Sequence, residues 1–176
     1  MVLDESGFYL SGIPHKTWTI RGTKPILPIH GSYERLNVIG AIDPINNKGL
    51  YQYIKKLDYI NFGYFLEYII KQFPNINKIY IILDNARAHH AKALNPLLKT
   101  LQDKIELVFL PPYSPDLSEI ETVWQNIKGE VVYNGFYSSF EDFKEALTNS
   151  LEINISNPID IIKNPSNFEK YVKIEV

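Results

Sequence analysis

Three acidic residues, far apart in the 176-residue chain, have positions suited to a metal site on a β-sheet. Asp4 lies within an apolar N-terminal segment, and Asp84 ends the most apolar run of the sequence. Glu121 belongs to the first turns of a predicted helix that follows a proline-rich loop. A carboxylate in or beside a buried strand is costly unless it is paired or binds a metal. Converging acids of this kind predict a Mg²⁺ site, because Mg²⁺ prefers oxygen ligands and keeps waters for a substrate phosphate.

Two Mg²⁺ ions held by such carboxylates can activate a water or a 3′-hydroxyl and stabilise the leaving oxygen of a phosphodiester. Taken singly, each acid also has a structural interpretation. An aspartate that ends a strand, such as Asp84, is often a turn former or a helix cap. We interpret Asp116 as a cap and Glu119 as a solvated helix residue. The residues alone therefore leave the metal site and the structural roles both open.

The hydrophobic pattern predicts the elements that must position these acids. Predicted strands are residues 1–10, 35–42, 49–55, 78–83 and 105–110, and predicted helices are about 59–73, 88–101, 117–132 and 138–153. The runs 78–83 and 105–110 are continuously apolar, which is typical of strands buried on both faces. Pro96 should kink the second helix or delay its start. This order, in which strands come first, strands and helices then alternate and helices end the chain, predicts an α/β domain with a mixed sheet.

Composition and length indicate one globular domain, which we place at residues 1–155, followed by a weakly patterned C-terminal tail at 156–176. Hydrophobic residues make up 45% and charged residues 22%, which argues against disorder. The absence of cysteine excludes disulfides and thiolate metal sites. No apolar run approaches the ~20 residues that span a bilayer. Because acids interrupt any signal-peptide pattern at once, we expect a cytoplasmic, nucleoid-associated protein without membrane contact.

The charge balance limits how this chain could bind nucleic acid. A net charge of −2 and a pI near 6.1 argue against a protein that binds DNA over its whole surface. Contact with DNA must then be local or must depend on a partner domain. The candidate phosphate contacts form a cationic strip of Lys16, Arg21, Lys24 and Arg35, interleaved with Trp18 and Tyr33. The alternative, that these cations simply solvate a surface, carries equal weight.

Two segments combine acidic, proline and aromatic residues in a fixed order. Residues 84–89 read D-N-A-R-A-H, and residues 110–124 read L-P-P-Y-S-P-D-L-S-E-I-E-T-V-W. They resemble the D-N-x-x-x-H strand end and the P-P-Y-S-P-D-L-N-P-I-E-x-x-W segment of the mariner superfamily of DDE transposases, in particular its bacterial and archaeal insertion-sequence branch. D-E-S-G-F at residues 4–8, Trp18, Gly22 and N-V-I-G-A at residues 37–41 also resemble that family. The similarity covers roughly residues 1–150.

The resemblance implies a ribonuclease-H-like, retroviral-integrase-like fold, with a mixed five-stranded sheet flanked by helices. It also implies that Asp4, Asp84 and Glu121 are the catalytic, metal-binding acids, which hold two Mg²⁺ ions with Mn²⁺ able to substitute. Counting the residues between Asp84 and Glu121 gives 36, close to the usual spacing of the family. One departure concerns the third acid, because Ser-Glu at residues 118–119 replaces the Asn-Pro of the family, and Glu119 becomes a rival.

The helix geometry allows only one of the two glutamates to face the site. Residues two apart on a helix point about 200° apart. Glu121 keeps the family's register before Trp124, and we prefer it, with Glu119 in a supporting role. Trp124 itself is interpreted as a core anchor for this helix rather than as a base-stacking platform.

Two residues near Asp84 are assigned to support of the site. Asn85 is expected to orient Asp84 or to contact DNA. A histidine near carboxylates can bind metal or phosphate, although a histidine at a helix start is more often structural. His89 matches the family motif and is assigned to site support, whereas His90 does not match it.

The activity that the resemblance implies is Mg²⁺-dependent hydrolysis of a DNA phosphodiester followed by transfer of the 3′-hydroxyl to target DNA. The implied partners are transposon ends and target DNA, a second copy of the chain on DNA, and a separate N-terminal DNA-binding polypeptide. The last follows because no helix-turn-helix segment is apparent, and family members carry such modules upstream. Two alternatives stay open: a catalytically silent remnant that binds DNA or dimerises, and a general nuclease such as a ribonuclease H or a junction resolvase.

Overall fold

The computed structural model describes residues 1–10, 34–111, 118–133 and 135–162. The strands in these ranges are β1 Val2–Tyr9, β2 Arg35–Asp43, β3 Lys48–Ile54, β4 Ile79–Leu83 and β5 Ile105–Phe109. The α-helices there are α1 Tyr59–Gln72, α2 Asn95–Leu101, α3 Glu119–Ile127 and α4 Phe140–Ser156. Short 3₁₀ turns cover Lys92–Leu94 and Pro158–Asp160, and a π-helical segment, Lys128–Tyr133, continues α3. Each helix in these ranges is too short or too polar to cross a membrane.

All five strands form one sheet in the order β3-β2-β1-β4-β5. β1 pairs antiparallel with β2, and β2 pairs antiparallel with β3, which follows it after the short connection 44–47. β4 and β5 run parallel to β1, and parallel strands need long crossovers, which α1 and α2 provide. The predicted mixed five-stranded sheet is therefore confirmed.

The sheet is covered by a helical layer on each face. Alternate residues of a strand point to opposite faces, so neighbours in β1 belong to different layers. Leu3 packs in the cluster that contains α1 side chains, whereas Val2 and Phe8 pack with side chains of α3 and α4. Asp4 shares the parity of Val2 and Phe8 and therefore faces the α3 layer.

Most predicted elements agree with the structure, and the differences have local causes. α2 begins only at Asn95, because Pro96 occupies its first turn, where a missing N–H costs nothing. The prediction that strand 105–110 is buried on both faces is wrong: β5 is an edge strand, with Val108 39% and Phe109 36% exposed. An apolar run cannot distinguish an edge strand from a central one.

The first residues of the predicted C-terminal tail pack against the domain. α4 ends at Ser156, and the backbone N–H of Ile159 donates to Asn47 Oδ1 at 3.0 Å in the β2–β3 connection. Ile162 is buried. The domain boundary after residue 155 stays a prediction, and residues 163–176 lie outside the described ranges.

Gly40 allows α3 to approach the sheet. It pairs with Asp4 across β1 and β2, and a Cβ at this position would lie 2.7 Å from Trp124 Cη2. We expect Gly40→Val to destabilise the domain by about 1–3 kcal/mol, because the buried indole cannot shift without moving α3. Urea unfolding measures the change. Gly129→Ala is the matched control, because a Cβ there meets no atom within 4 Å; equal losses in both variants would contradict the close packing.

Candidate active site

Asp4 and Asp84 lie side by side where β1 and β4 run parallel. Val2 pairs with Ile82. Because the strands are parallel, this register places Asp4 level with Asp84, two residues further along each chain segment. Asp84 directly follows Leu83, the last residue of β4. It therefore stands at the carboxyl end of the strand, where ligand sites of α/β sheets open.

Glu121 approaches the same point from the helical layer. Trp124, three residues later on α3, donates from indole Nε1 to Asp4 Oδ2 at 3.1 Å. Residues three apart share a helix face, so the contact that anchors Trp124 also directs Glu121 towards the two aspartates. The structure thus brings the three predicted acids to one region of the sheet. It also agrees with the interpretation of Trp124 as an anchor for the helix.

The electrostatics of Asp4 reflect this crowding. Burial is the largest cause that raises the pKa of Asp4 to about 7, partly opposed by a hydrogen bond from the backbone of Glu5. The charges of Glu5, Asp84 and Glu121 raise this pKa further. A divalent cation would relieve the repulsion, and the donor set consists of the carboxylate oxygens that Mg²⁺ prefers, so the residues fit the ion chemically.

The side chains are not gathered as tightly as a bound metal requires. Within the described ranges, no three histidine, aspartate or glutamate side chains form a group that could hold a metal ion. Metal binding would therefore require carboxylates to rotate towards one another. The metal site stays a prediction.

His89 connects Asp84 to a fourth acid that the sequence analysis missed. Its Nδ1 lies 3.1 Å from Asp84 Oδ1, and its Nε2 lies 3.1 Å from Glu5 Oε1. The side chain is fully buried and its ring packs on Phe62 at 4.5 Å. Burial opposes charging of the imidazole, but the hydrogen bond to Glu5 and the charges of Glu5 and Asp84 outweigh it, so the pKa of His89 is raised. Glu5 could have been suspected, because an acid inside an apolar strand needs a partner.

The turn after β4 holds the remaining site-support residues. The backbone N–H of Ala86 donates to Asp84 Oδ1 at 2.9 Å, and this hydrogen bond restrains the carboxylate. Asn85 Nδ2 donates to the backbone oxygen of Leu110, and Asn85 Oδ1 lies 3.2 Å from His90 Nε2. Asn85 thus ties the ends of β4 and β5 together. His89 belongs to this turn and not to a helix start, because α2 begins later.

Glu119 differs sharply from a solvated helix residue. Both of its carboxylate oxygens are buried without a hydrogen-bond partner among the described residues. Burial raises the pKa of Glu119 to about 7, against the opposing charge of the Met1 amine. The interpretation of its carboxylate as solvated is wrong, because the start of α3 is pressed against the sheet.

A half-buried cation beside the acids was also missed. Burial lowers the pKa of Lys128, while the charges of Asp4 and Glu121 raise it and that of Arg35 lowers it further. Lys128 lies seven residues after Glu121, two helical turns on, which is the sequence signal that could have identified it. Arg35 is exposed and lies over the Tyr9 ring at 5.0 Å.

Other predicted contacts cannot be located. Lys16, Arg21 and Lys24 of the cationic strip, with Trp18 and Tyr33, lie outside the described residues, as does Asp116. The strip therefore stays a prediction, and Arg35 is the one of its four cations that lies within the described residues. Arg35 lies close enough to Lys128 for its charge to lower the pKa of that lysine.

The raised pKa values predict that the metal-free domain is less stable at pH 8 than at pH 5. Asp4 and Glu119 keep their protons to about pH 7 when folded but lose them near pH 4 when unfolded, so stability falls as the pH rises between these values. The raised pKa of His89 acts in the same direction, because its stabilising charge is lost as the pH rises through the folded pKa. We expect a loss on the order of 2 kcal/mol, measured by urea unfolding. Asp4→Asn should reduce the slope of the profile, with Glu119 and His89 causing the remainder, and an unchanged profile would contradict the assignment.

Comparisons with known proteins add the family. A family model described as DDE superfamily endonuclease matches residues 1–144. The "Uncharacterized protein y4pE/y4sA" of Sinorhizobium fredii (strain NBRC 101917 / NGR234) is 30% identical over 105 residues, which cover 60% of this chain and 74% of that protein.

Solved structures show the same fold at low sequence identity. The pre-cleavage Mos1 transpososome matches with a TM-score of 0.69 and 17% identity, covering 96% of this chain and 53% of that chain. The catalytic domain of Mos1 mariner transposase matches with a TM-score of 0.59 and 16% identity, covering 96% and 79%. The chain thus spans about half the length of the Mos1 chain in the transpososome. The predicted ribonuclease-H-like fold is confirmed.

Proposed function

Because the chain belongs to the DDE superfamily endonuclease family, we propose that it is a transposase catalytic domain that hydrolyses a DNA phosphodiester and joins the freed 3′-hydroxyl to target DNA. The observation that carries this proposal is the convergence of Asp4, Asp84 and Glu121, which follows from the pairing of Val2 with Ile82 and from the hydrogen bond of Trp124 to Asp4. Carboxylates that repel one another lower the stability of the fold, so their presence together at the carboxyl end of a strand is better explained by a catalytic role than by a structural one.

The proposed cofactor is a pair of Mg²⁺ ions held by these three acids, with Mn²⁺ as a substitute. Mos1 paired-end complexes solved with Mg and with Mn support a divalent cation. When bound, such ions supply Lewis-acid activation of the attacking and leaving oxygens.

The other residues of the site position these groups. The Trp124 indole restrains Asp4, and His89 with the backbone of Ala86 restrains Asp84. Lys128 stands beside the acids and would donate to a non-bridging phosphate oxygen, which brings the anionic DNA backbone up to an acidic site.

The proposed partners are transposon ends and target DNA, bound by a dimer of the chain together with a separate DNA-binding polypeptide. The Mos1 structures support DNA as the substrate, because they include a paired-end complex with the left transposon end and a strand transfer complex. Among the described residues, Lys128 and Arg35 are the cations that we assign to local contact with phosphate.

One observation favours the alternative of a catalytically silent remnant. The described carboxylates do not form a group that could hold a metal ion as they stand. If the acids cannot rotate to share a cation, the fold would persist only as a DNA-binding or dimerisation module.

Cleavage assays with the purified chain separate these possibilities. We expect nicking of supercoiled and duplex DNA that requires Mg²⁺ or Mn²⁺, and a heat of binding when either cation is titrated into the protein. Glu145→Ala, which removes an exposed acid of α4, is the matched control and should behave as wild type. Absence of both nicking and cation binding would identify a remnant. Preferential cleavage of RNA–DNA hybrid would indicate a general nuclease.

A further inference from the structure

An exposed aromatic pair stands beside Asp84 at the outer end of the sheet. The rings of His90 and Phe109 stack with their centroids 4.3 Å apart and an interplanar angle of 24°. His90 is exposed and Phe109 is 36% exposed. Two stacked rings whose only role was to fill the core would be buried, so their exposure next to the proposed catalytic carboxylate calls for another explanation.

The pair is held in a fixed position relative to Asp84. Asn85, the next residue, contacts the imidazole Nε2 of His90 at 3.2 Å and donates to the backbone of Leu110. Phe109 pairs with Leu83 across β4 and β5, one residue before the level of Asp84. The rings are therefore carried by the same strand ends as the acid.

The same two residues line one end of a groove between β5 and α2, with a volume of about 460 Å³. Leu98 and Leu107 line the groove with apolar surface, and Asn95, the first residue of α2, adds a side-chain amide. A flat ring surface with a side-chain amide in the same groove suits a nucleobase, which stacks on its face and hydrogen-bonds through its edges. Amides can serve both the donors and the acceptors of a base edge.

We propose that this groove binds an unpaired nucleobase of the DNA strand next to the phosphate at Asp84, with the His90–Phe109 pair as its stacking surface. The inference rests on the proposed function, since only a nucleic-acid substrate brings a base to this place. A base that is already unpaired at a frayed or cleaved end enters at the lowest cost. Stacking on an aromatic side chain should strengthen binding roughly ten-fold.

Binding of two matched DNA probes tests the inference in metal-free buffer, where cleavage does not interfere. One probe is a blunt duplex, and the other carries a three-nucleotide single-stranded extension with 2-aminopurine. We expect wild type to bind the extended probe about ten-fold more tightly than the blunt one and to quench its fluorescence. His90→Ala should lose this preference and the quenching while binding blunt duplex as wild type does. His90→Tyr should retain both, because it restores an aromatic ring.

The control variant is Tyr64→Ala, which removes an exposed aromatic residue from α1 and should change neither measurement. Unfolding midpoints establish that each variant is folded. If wild type binds both probes equally without quenching, or if His90→Ala keeps the preference, the stacking site is overturned while the proposed function stands. A wild type that binds neither probe, with or without Mg²⁺, overturns both.

Discussion

Asp84→Ala is expected to reduce DNA nicking and strand transfer by at least about a thousand-fold while leaving the domain folded. Loss of a metal-binding carboxylate removes about 4 kcal/mol of transition-state stabilisation, which corresponds to this factor. The fold should be little affected, because 58% of the Asp84 side chain is exposed. Losing its hydrogen bond from Ala86 and its contact with His89 should lower the free energy of unfolding by about 1–2 kcal/mol.

A second variant distinguishes a metal ligand from a turn former. Asp84→Asn keeps a side-chain oxygen that can accept from the backbone of Ala86, and asparagine is as good a turn residue as aspartate. If Asp84 acts as a ligand, Asp84→Asn should be nearly as inactive as Asp84→Ala, because the charge is lost in both. Nicking rates in Mg²⁺ and calorimetric cation titration measure the two variants beside Glu145→Ala. An active Asp84→Asn would reduce Asp84 to a structural turn residue.

Glu121→Gln and Glu119→Gln should have opposite consequences. Glu121→Gln is expected to lower activity by about a thousand-fold, because its charge acts on Asp4 at the centre of the site. Glu119→Gln should keep activity and stabilise the domain at pH 8 by on the order of 1 kcal/mol, since the neutral amide replaces a buried carboxylate without a partner in the described structure.

The pair of variants is matched, because both residues lie in the first turn of α3 and receive the same substitution. Nicking assays and urea unfolding at pH 8 give the two readouts. Should Glu119→Gln be inactive and Glu121→Gln active, Glu119 would be the third acid. In that case α3 would have to rotate when DNA and metal bind, and the hydrogen bond between Trp124 and Asp4 that now turns Glu121 towards the aspartates would be lost.

The sequence by itself determined the elements and the candidate acids. Alternation and apolar runs depend on near neighbours, so the strands and most helices could be located to within a few residues. The start of α2 is seven residues later than the predicted 88, and Pro96 had indicated such a delay. The carboxylate positions followed from the same pattern, because Asp84 ends an apolar strand. The motif around Trp124 favoured Glu121 over Glu119, although spacing alone could not choose between them.

The tertiary structure alone decided which side chains meet. Glu5 and His89 are 84 residues apart, and their contact depends on the parallel register of β1 and β4. The Glu119 carboxylate is buried because α3 approaches the sheet closely. Phe109 is exposed because β5 is an edge strand. Periodicity in the sequence indicates which face of an element is apolar. Strand register, strand order and the approach of a helix to the sheet depend on packing between distant segments, and they determine the contacts, burial and pKa of each side chain.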